Sequence, residues 1–336
     1  MSAPAPSRVD EDGFRALFEA HTSFVLRSVG SFIRTGLALA LLTACGADGF
    51  ERRLAYDTLP SSAMNGRAMR YAVYTPPGYV RGERLPLVVF LHGGGDDEAS
   101  FDRHGLSARL DQATRDGRIP RVLVVMPQGE LGFWANWYDG SAGYEDWVME
   151  EVVPRVAFAY ETLPCPEWCH VMGVSMGGSG TIRFALHHDW ASATMISAPV
   201  LDTDQMINLA RNPLFQPMIP MDRIFGPTHG PEARERVRGD DPFLRWADAD
   251  DLDGMRLMVA WGDQDRGPIV DTSRRFVAHL EANDVPHERL EYDGNHSWVS
   301  WGPVIEEALH RMVTPSPWAS DAPPPSAPSR IAGSAR

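Results

Sequence analysis

Gly173-Val174-Ser175-Met176-Gly177 places a serine between two glycines, with an apolar β-type run entering it and a helical pattern leaving it. That spacing suits a nucleophile on a tight strand-to-helix turn, where the serine takes strained backbone angles and small neighbours let strand and helix approach. The following helix would direct its positive N-terminal end toward a developing oxyanion. Such a serine attacks a carbonyl only with a base to take its proton and an acid to orient that base.

Residues suited to both roles follow in the chain. Arg256–Trp261 reads as a buried strand running into Gly262-Asp263-Gln264-Asp265, and Glu288–Tyr292 reads as another ending in Asp293-Gly294-Asn295-His296. Loops just past the C-terminal ends of parallel strands are where open α/β sheets build their sites. His296 is the expected base. Asp263 and Asp265 compete as its partner, and Asp293 reads as a turn residue. Either of Asp263 and Asp265 would also serve to cap a helix starting near Pro268.

Upstream, the apolar strand Leu85–Leu91 runs into His92-Gly93-Gly94-Gly95. Glycines there let the backbone come close to a substrate and aim an N–H at the oxyanion, and Met176, after the nucleophile, supplies a second N–H. The remaining histidines lack metal-ligand spacing. His187 and His188 are adjacent on a helical pattern and are expected to point in different directions. No metal or cofactor is expected.

With these residues in place, the chain resembles the esterase D-like family of α/β-hydrolases, which includes feruloyl esterases, S-formylglutathione hydrolases and mycolyltransferases. The resemblance is carried by Tyr74–Tyr79, Leu91–Gly95, Tyr144–Val148, Gly173–Gly178, Gly262–Asp265 and Gly294–Trp301, spread over residues 70–312. Asn295 stands where the family often has glycine. The resemblance implies Ser175 as nucleophile, His296 as general base, Asp265 as orienting acid, and Gly94 and Met176 N–H groups as the oxyanion hole. It implies serine esterase activity on carboxylic esters, such as acylated carbohydrates or aryl esters. The same triad would also serve an acyltransferase, and a binding protein on this fold is the alternative outside catalysis.

Strands expected at 54–58, 70–75, 87–91, 122–126, 170–174, 194–197, 257–261 and 288–292 alternate with helices at 100–113, 144–160, 176–188, 270–283 and 303–313. That alternation predicts a doubly wound, mostly parallel sheet in one hydrolase domain over residues 51–314. Asn65-Gly66 marks a turn between the leading strands. The connection 199–254 is too long for a simple crossover and reads as a lid-like insertion, with Asn212–Met221 as lid or pocket wall. In Phe133-Trp134-Ala135-Asn136-Trp137, on the loop edge shared with the serine, Trp134 or Trp137 is expected to line the cleft.

Residues 1–50 read as a leader and 315–336 as a disordered tail rich in Pro, Ser and Ala. Arg27 and Arg34 precede the apolar run Gly36–Ala44, too short to span a bilayer but suited to an export signal. Leu42-Thr43-Ala44-Cys45 resembles a lipobox, which predicts an exported protein anchored through lipidated Cys45 in the periplasm or at the cell surface; a cytoplasmic location is the alternative. Gly13–Val29 resembles the opening helix of extracytoplasmic-function sigma factors, too short to bind polymerase, and suggests a translation start near Val25 or Val29. Cys165 and Cys169 can bridge only if their loop turns tightly. A net charge of −14 argues against nucleic acid as a partner. The expected partner is a small-molecule or carbohydrate ester.

Overall fold

Every residue of Leu87–Leu91, Leu123–Pro127 and Cys169–Val174 is buried, the pattern of parallel strands covered on both faces. The computed structural model describes residues 54–213 and 219–313, so the expectations for the leader, the tail and residues 214–218 of the lid segment lie outside the described residues. Eight strands form one sheet: β1 (Leu54–Pro60), β2 (Ala68–Tyr74), β3 (Leu87–Leu91), β4 (Leu123–Pro127), β5 (Cys169–Val174), β6 (Ser192–Ile196), β7 (Arg256–Gly262) and β8 (Glu288–Tyr292). Their order is β1-β2-β4-β3-β5-β6-β7-β8. Strands β1 and β2 are antiparallel to their neighbours, and the other pairings are parallel. This is an α/β-hydrolase fold.

Alternate strand residues face opposite layers. Val89, Leu91, Val171 and Val259 join one core, beneath helices α3 (Met176–His187) and α7 (Gly267–Ala282). Val88, Phe90, Met172 and Ala260 join the other, covered by α1 (Leu106–Arg115) and α8 (Trp298–Val313). The other α-helices of five or more residues among the described residues are α2 (Val153–Tyr160), α4 (Thr203–Arg211), α5 (Met221–Phe225) and α6 (Pro231–Arg238), the last three within the insertion between β6 and β7.

β3 pairs with β4 on one side and β5 on the other, with Leu91 beside Gly173. The winding reverses there, so the carboxyl ends of β3 and β5 open the crevice where such sheets bind ligands. The serine turn follows one of these strands and the His92–Gly95 loop follows the other.

Several boundaries differ from expectation for identifiable reasons. The helix expected over 100–113 breaks at Gly105, whose φ of +74° ends one short helix and starts α1. The run 144–160 contains a π-helical stretch, Trp147–Val152, directly before Pro154, which has no N–H to continue an α-helical ladder. Helix α8 begins at Trp298, five residues ahead of the internal Pro303 from which it was expected to start. Asn65 and Gly66 both adopt positive φ, in a loop closed by Ser61 N–H donating to the Arg67 carbonyl at 2.8 Å.

Candidate active site

Ser175 caps α3 with φ 55° and ψ −119°, a region non-glycine residues occupy only when the surroundings hold them there. Its N–H donates to the Ile196 carbonyl at 2.9 Å, tying the turn to β6. A Cβ on Gly177 would overlap the Leu91 carbonyl, so only glycine lets α3 pack this close to the end of β3.

The loops after β7 and β8 complete a hydrogen-bonded line. His296 Nε2 lies 2.9 Å from Ser175 Oγ, and His296 Nδ1 lies 2.9 Å from Asp265 Oδ1. A carboxylate opposite Nδ1 keeps the ring proton there, leaving Nε2 free to accept from the hydroxyl. The Asp265 side chain is fully buried, its Oδ1 also accepts from the Arg266 N–H at 2.7 Å, and its Oδ2 has no partner among the described residues. Burial pulls the His296 pKa below its ordinary 6.5, with Asp265 pulling the other way. Trp301 meets the imidazole edge-on at 4.9 Å and limits its tilt.

The competing carboxylates are engaged elsewhere. Asp263 Oδ1 accepts from the Gly294 N–H at 3.1 Å, and Asp293 Oδ1 accepts from the Gln264 amide at 2.6 Å. Both brace the loops that carry Asp265 and His296. Neither caps α7, whose first residue follows Arg266 directly.

Ser175, Met176 and Gly94 line one cleft between the sheet edge and the insertion. Leu131, Phe133 and Ile182 supply apolar wall from the scaffold, while Leu201, Met206, Leu209, Ile219 and Phe225 supply it from the insertion. Of the residues read as lid, Ile219 therefore faces the cleft.

Trp134 and Trp137 do not line it, and this corrects the sequence expectation. Trp134 is fully buried, packs against Gly180, and donates its indole N–H to the His92 carbonyl at 3.3 Å. Trp137 packs on Tyr144 and lies under the Arg223 guanidinium, 5.1 Å from the ring. Positive φ at Phe133 and Trp134 reverses the chain, turning Phe133 into the cleft and Trp134 into the core.

A second correction concerns His187 and His188. Helix α3 stops at His187 and His188 is extended, so the two rings converge on Glu145 Oε1, each at 2.8 Å. Arg183 and His187 also reach Asp240, at 2.5 and 3.0 Å, tying α3 to the insertion where Arg183 and Asp240 line the cleft. Hydrogen bonds that His187 donates to Asp240 and Glu145 raise its pKa to about 9. Burial opposes ionisation of Glu145, yet its histidine bonds hold it at about 2. This network left no motif in the sequence beyond the paired histidines.

Cys165 and Cys169 are disulfide-bonded across a tight turn, with Cα atoms 5.0 Å apart.

A family model described as "Putative esterase" matches residues 61–312. An esterase of Mycobacterium tuberculosis is 24% identical over 269 residues, covering 73% of this chain and 56% of that protein; this chain thus spans little more than half the length of the curated relatives it matches. Among solved structures, a fluorophosphonate-binding serine hydrolase of Staphylococcus aureus superposes with a TM-score of 0.63 at 24% identity, covering 77% of this chain and 98% of that one. A ferulic acid esterase gives a TM-score of 0.64 at 20% identity, covering 77% and 97%. At these identities the structural likenesses establish the fold.

Proposed function

This chain belongs to the esterase family, and we propose that it is a serine esterase that cleaves carboxylic esters through an acyl-enzyme on Ser175. The reading rests above all on one observation: a strained serine at the mouth of an apolar cleft, hydrogen-bonded to a histidine that is itself bonded to a buried aspartate.

In this mechanism Ser175 Oγ attacks the ester carbonyl as His296 Nε2 takes its proton. Asp265 keeps the imidazole in the reactive tautomer and stabilises the imidazolium. The N–H groups of Gly94 and Met176 receive the oxyanion. His296 then returns the proton to the leaving alcohol, and water releases the acid by the same steps in reverse. The apolar wall favours esters with an aryl or extended acyl part, and the ferulic acid esterase neighbour is in keeping with that class.

Export through the Cys45 lipobox belongs to the same proposal, and the Cys165–Cys169 bridge supports it, since disulfides persist in oxidising compartments. Mass spectrometry of the membrane-fraction protein tests it: a diacylated Cys45 as first residue supports it, and an unprocessed leader refutes it. The catalytic reading is tested by turnover of acetyl, longer acyl and aryl p-nitrophenyl esters, with activity expected to rise from acetyl toward the bulkier apolar esters.

A further inference from the structure

His92 is 2% exposed and takes no part in the Ser175–His296–Asp265 line. Its Nε2 receives the Gly129 N–H at 2.9 Å, and its Nδ1 lies 2.7 Å from the Gly93 carbonyl. A backbone N–H can only donate and a carbonyl can only accept, so Nε2 is bare and Nδ1 carries the proton. Burial pushes the ring pKa down, which keeps this neutral tautomer in place at working pH.

Those contacts have a geometric consequence at the cleft. In a trans peptide the carbonyl and the following N–H point to opposite sides. Holding the Gly93 carbonyl toward the imidazole therefore turns the Gly94 N–H away from it. The Gly93 carbonyl also accepts the Asp96 N–H at 3.2 Å, so it is held by a turn and by the ring together. The preceding peptide is pinned as well, because the Trp134 indole donates to the His92 carbonyl and its ring meets the imidazole edge-on at 5.0 Å. This loop lies against the nucleophile: a Cβ on Gly93 would stand 3.4 Å from the Ser175 Cβ.

We propose that His92 and Trp134 are positioning residues that clamp the Gly93–Gly94 peptide, aiming the Gly94 N–H at the oxyanion formed on Ser175. The proposal rests on the serine-esterase reading above. The clamp acts on the transition state alone, because the oxyanion is absent from the bound ester. Its loss therefore falls on kcat and spares KM.

The test compares wild type with His92→Ala and Trp134→Phe, the latter removing the indole N–H while keeping an aromatic ring. Each is assayed on a p-nitrophenyl ester and on its thiono analogue, whose sulfur accepts hydrogen bonds poorly. Exhaustive fluorophosphonate labelling counts the competent Ser175. Per labelled site, His92→Ala should lower ester kcat by roughly ten- to a hundredfold, less than the outright loss of an oxyanion donor because the Gly94 N–H is misaimed and not removed, with KM little changed. The ester-to-thionoester rate ratio should fall severalfold, and Trp134→Phe should move both quantities the same way by a smaller factor. A merely structural role would reduce the number of labelled sites and leave the ratio per site at the wild-type value. Unchanged ratio and kcat per site overturn the clamp, in Trp134→Phe alone if His92→Ala does not fold. A wild-type protein that neither turns over ester nor labels at Ser175 would instead refute the esterase reading.

Discussion

Asp265 offers His296 one carboxylate oxygen at 2.9 Å while its second oxygen is buried without a partner among the described residues. A buried carboxylate short of hydrogen bonds is poorly compensated in the resting protein. In the proposed mechanism His296 takes the serine proton, and the imidazolium would then supply the missing charge. The pair is thus electrostatically matched to the charge distribution reached during attack.

Asp265→Asn keeps the volume and removes that match, and the amide can donate to Nδ1 and select the wrong tautomer. Its kcat should fall roughly 10³–10⁴-fold, the size seen for the equivalent change in other serine triads. Asp263→Asn should fall far less, since that carboxylate only accepts from the Gly294 N–H. Steady-state kinetics of the two variants, side by side, checks the assignment.

The acidic limb of the pH–rate profile should report His296. Its pKa lies below 6.5 because burial disfavours the charged ring, and the base must be neutral to accept the serine proton. Activity should therefore be full at pH 7 and lost as pH falls through a value under 6.5. A kcat/KM limb above that value contradicts the buried setting.

The network joining α3 to the insertion predicts an alkaline loss of stability. Asp240 and Glu145 raise His187 to about 9 in the folded protein, against an ordinary 6.5. The charged form is favoured in the native state, so this contribution is full below about 6.5 and disappears as pH rises through about 9. Allowing for partial exposure, it amounts to roughly 1–3 kcal/mol. Thermal melts should show Tm dropping between neutral pH and pH 10, with the drop much reduced in His187→Gln.

Phe133, rather than either tryptophan expected from the sequence, should govern the bulky end of the substrate. Phe133→Ala should lower kcat/KM for aryl and long acyl esters by about tenfold relative to acetyl, the scale of one lost apolar contact surface. Trp137→Phe should leave that selectivity nearly unchanged, because Trp137 packs on Tyr144 and Arg223 outside the cleft. A substrate panel measured on both variants separates the two.

How much of this was legible in the sequence depended on whether a feature is local. Ser175, Asp265 and His296 each lie within four residues of the end of a strand, so pattern and order along the chain indicated one edge of one sheet. Choosing between Asp263 and Asp265 required the turn itself, since both follow β7 within three residues. The orientation of Trp134 was hidden because it depends on two consecutive positive φ angles at non-glycine residues, which no residue type announces. The convergence of His187 and His188 was hidden likewise, because helical spacing separates them and only the extended backbone at His188 brings them together. His92 read as a flank of the glycines, its two backbone partners lying one and 37 residues away.

The central claim is that Ser175 forms an acyl-enzyme with the help of His296. Rapid mixing of the protein with an activated aryl ester, acid quench and intact-protein mass spectrometry tests it most directly. The expected result is a mass increase of one acyl group, mapped to the peptide carrying Ser175, that decays with water and is absent in Ser175→Ala. Ester turnover at the wild-type rate by Ser175→Ala, or an acyl group mapped to another residue, would contradict it.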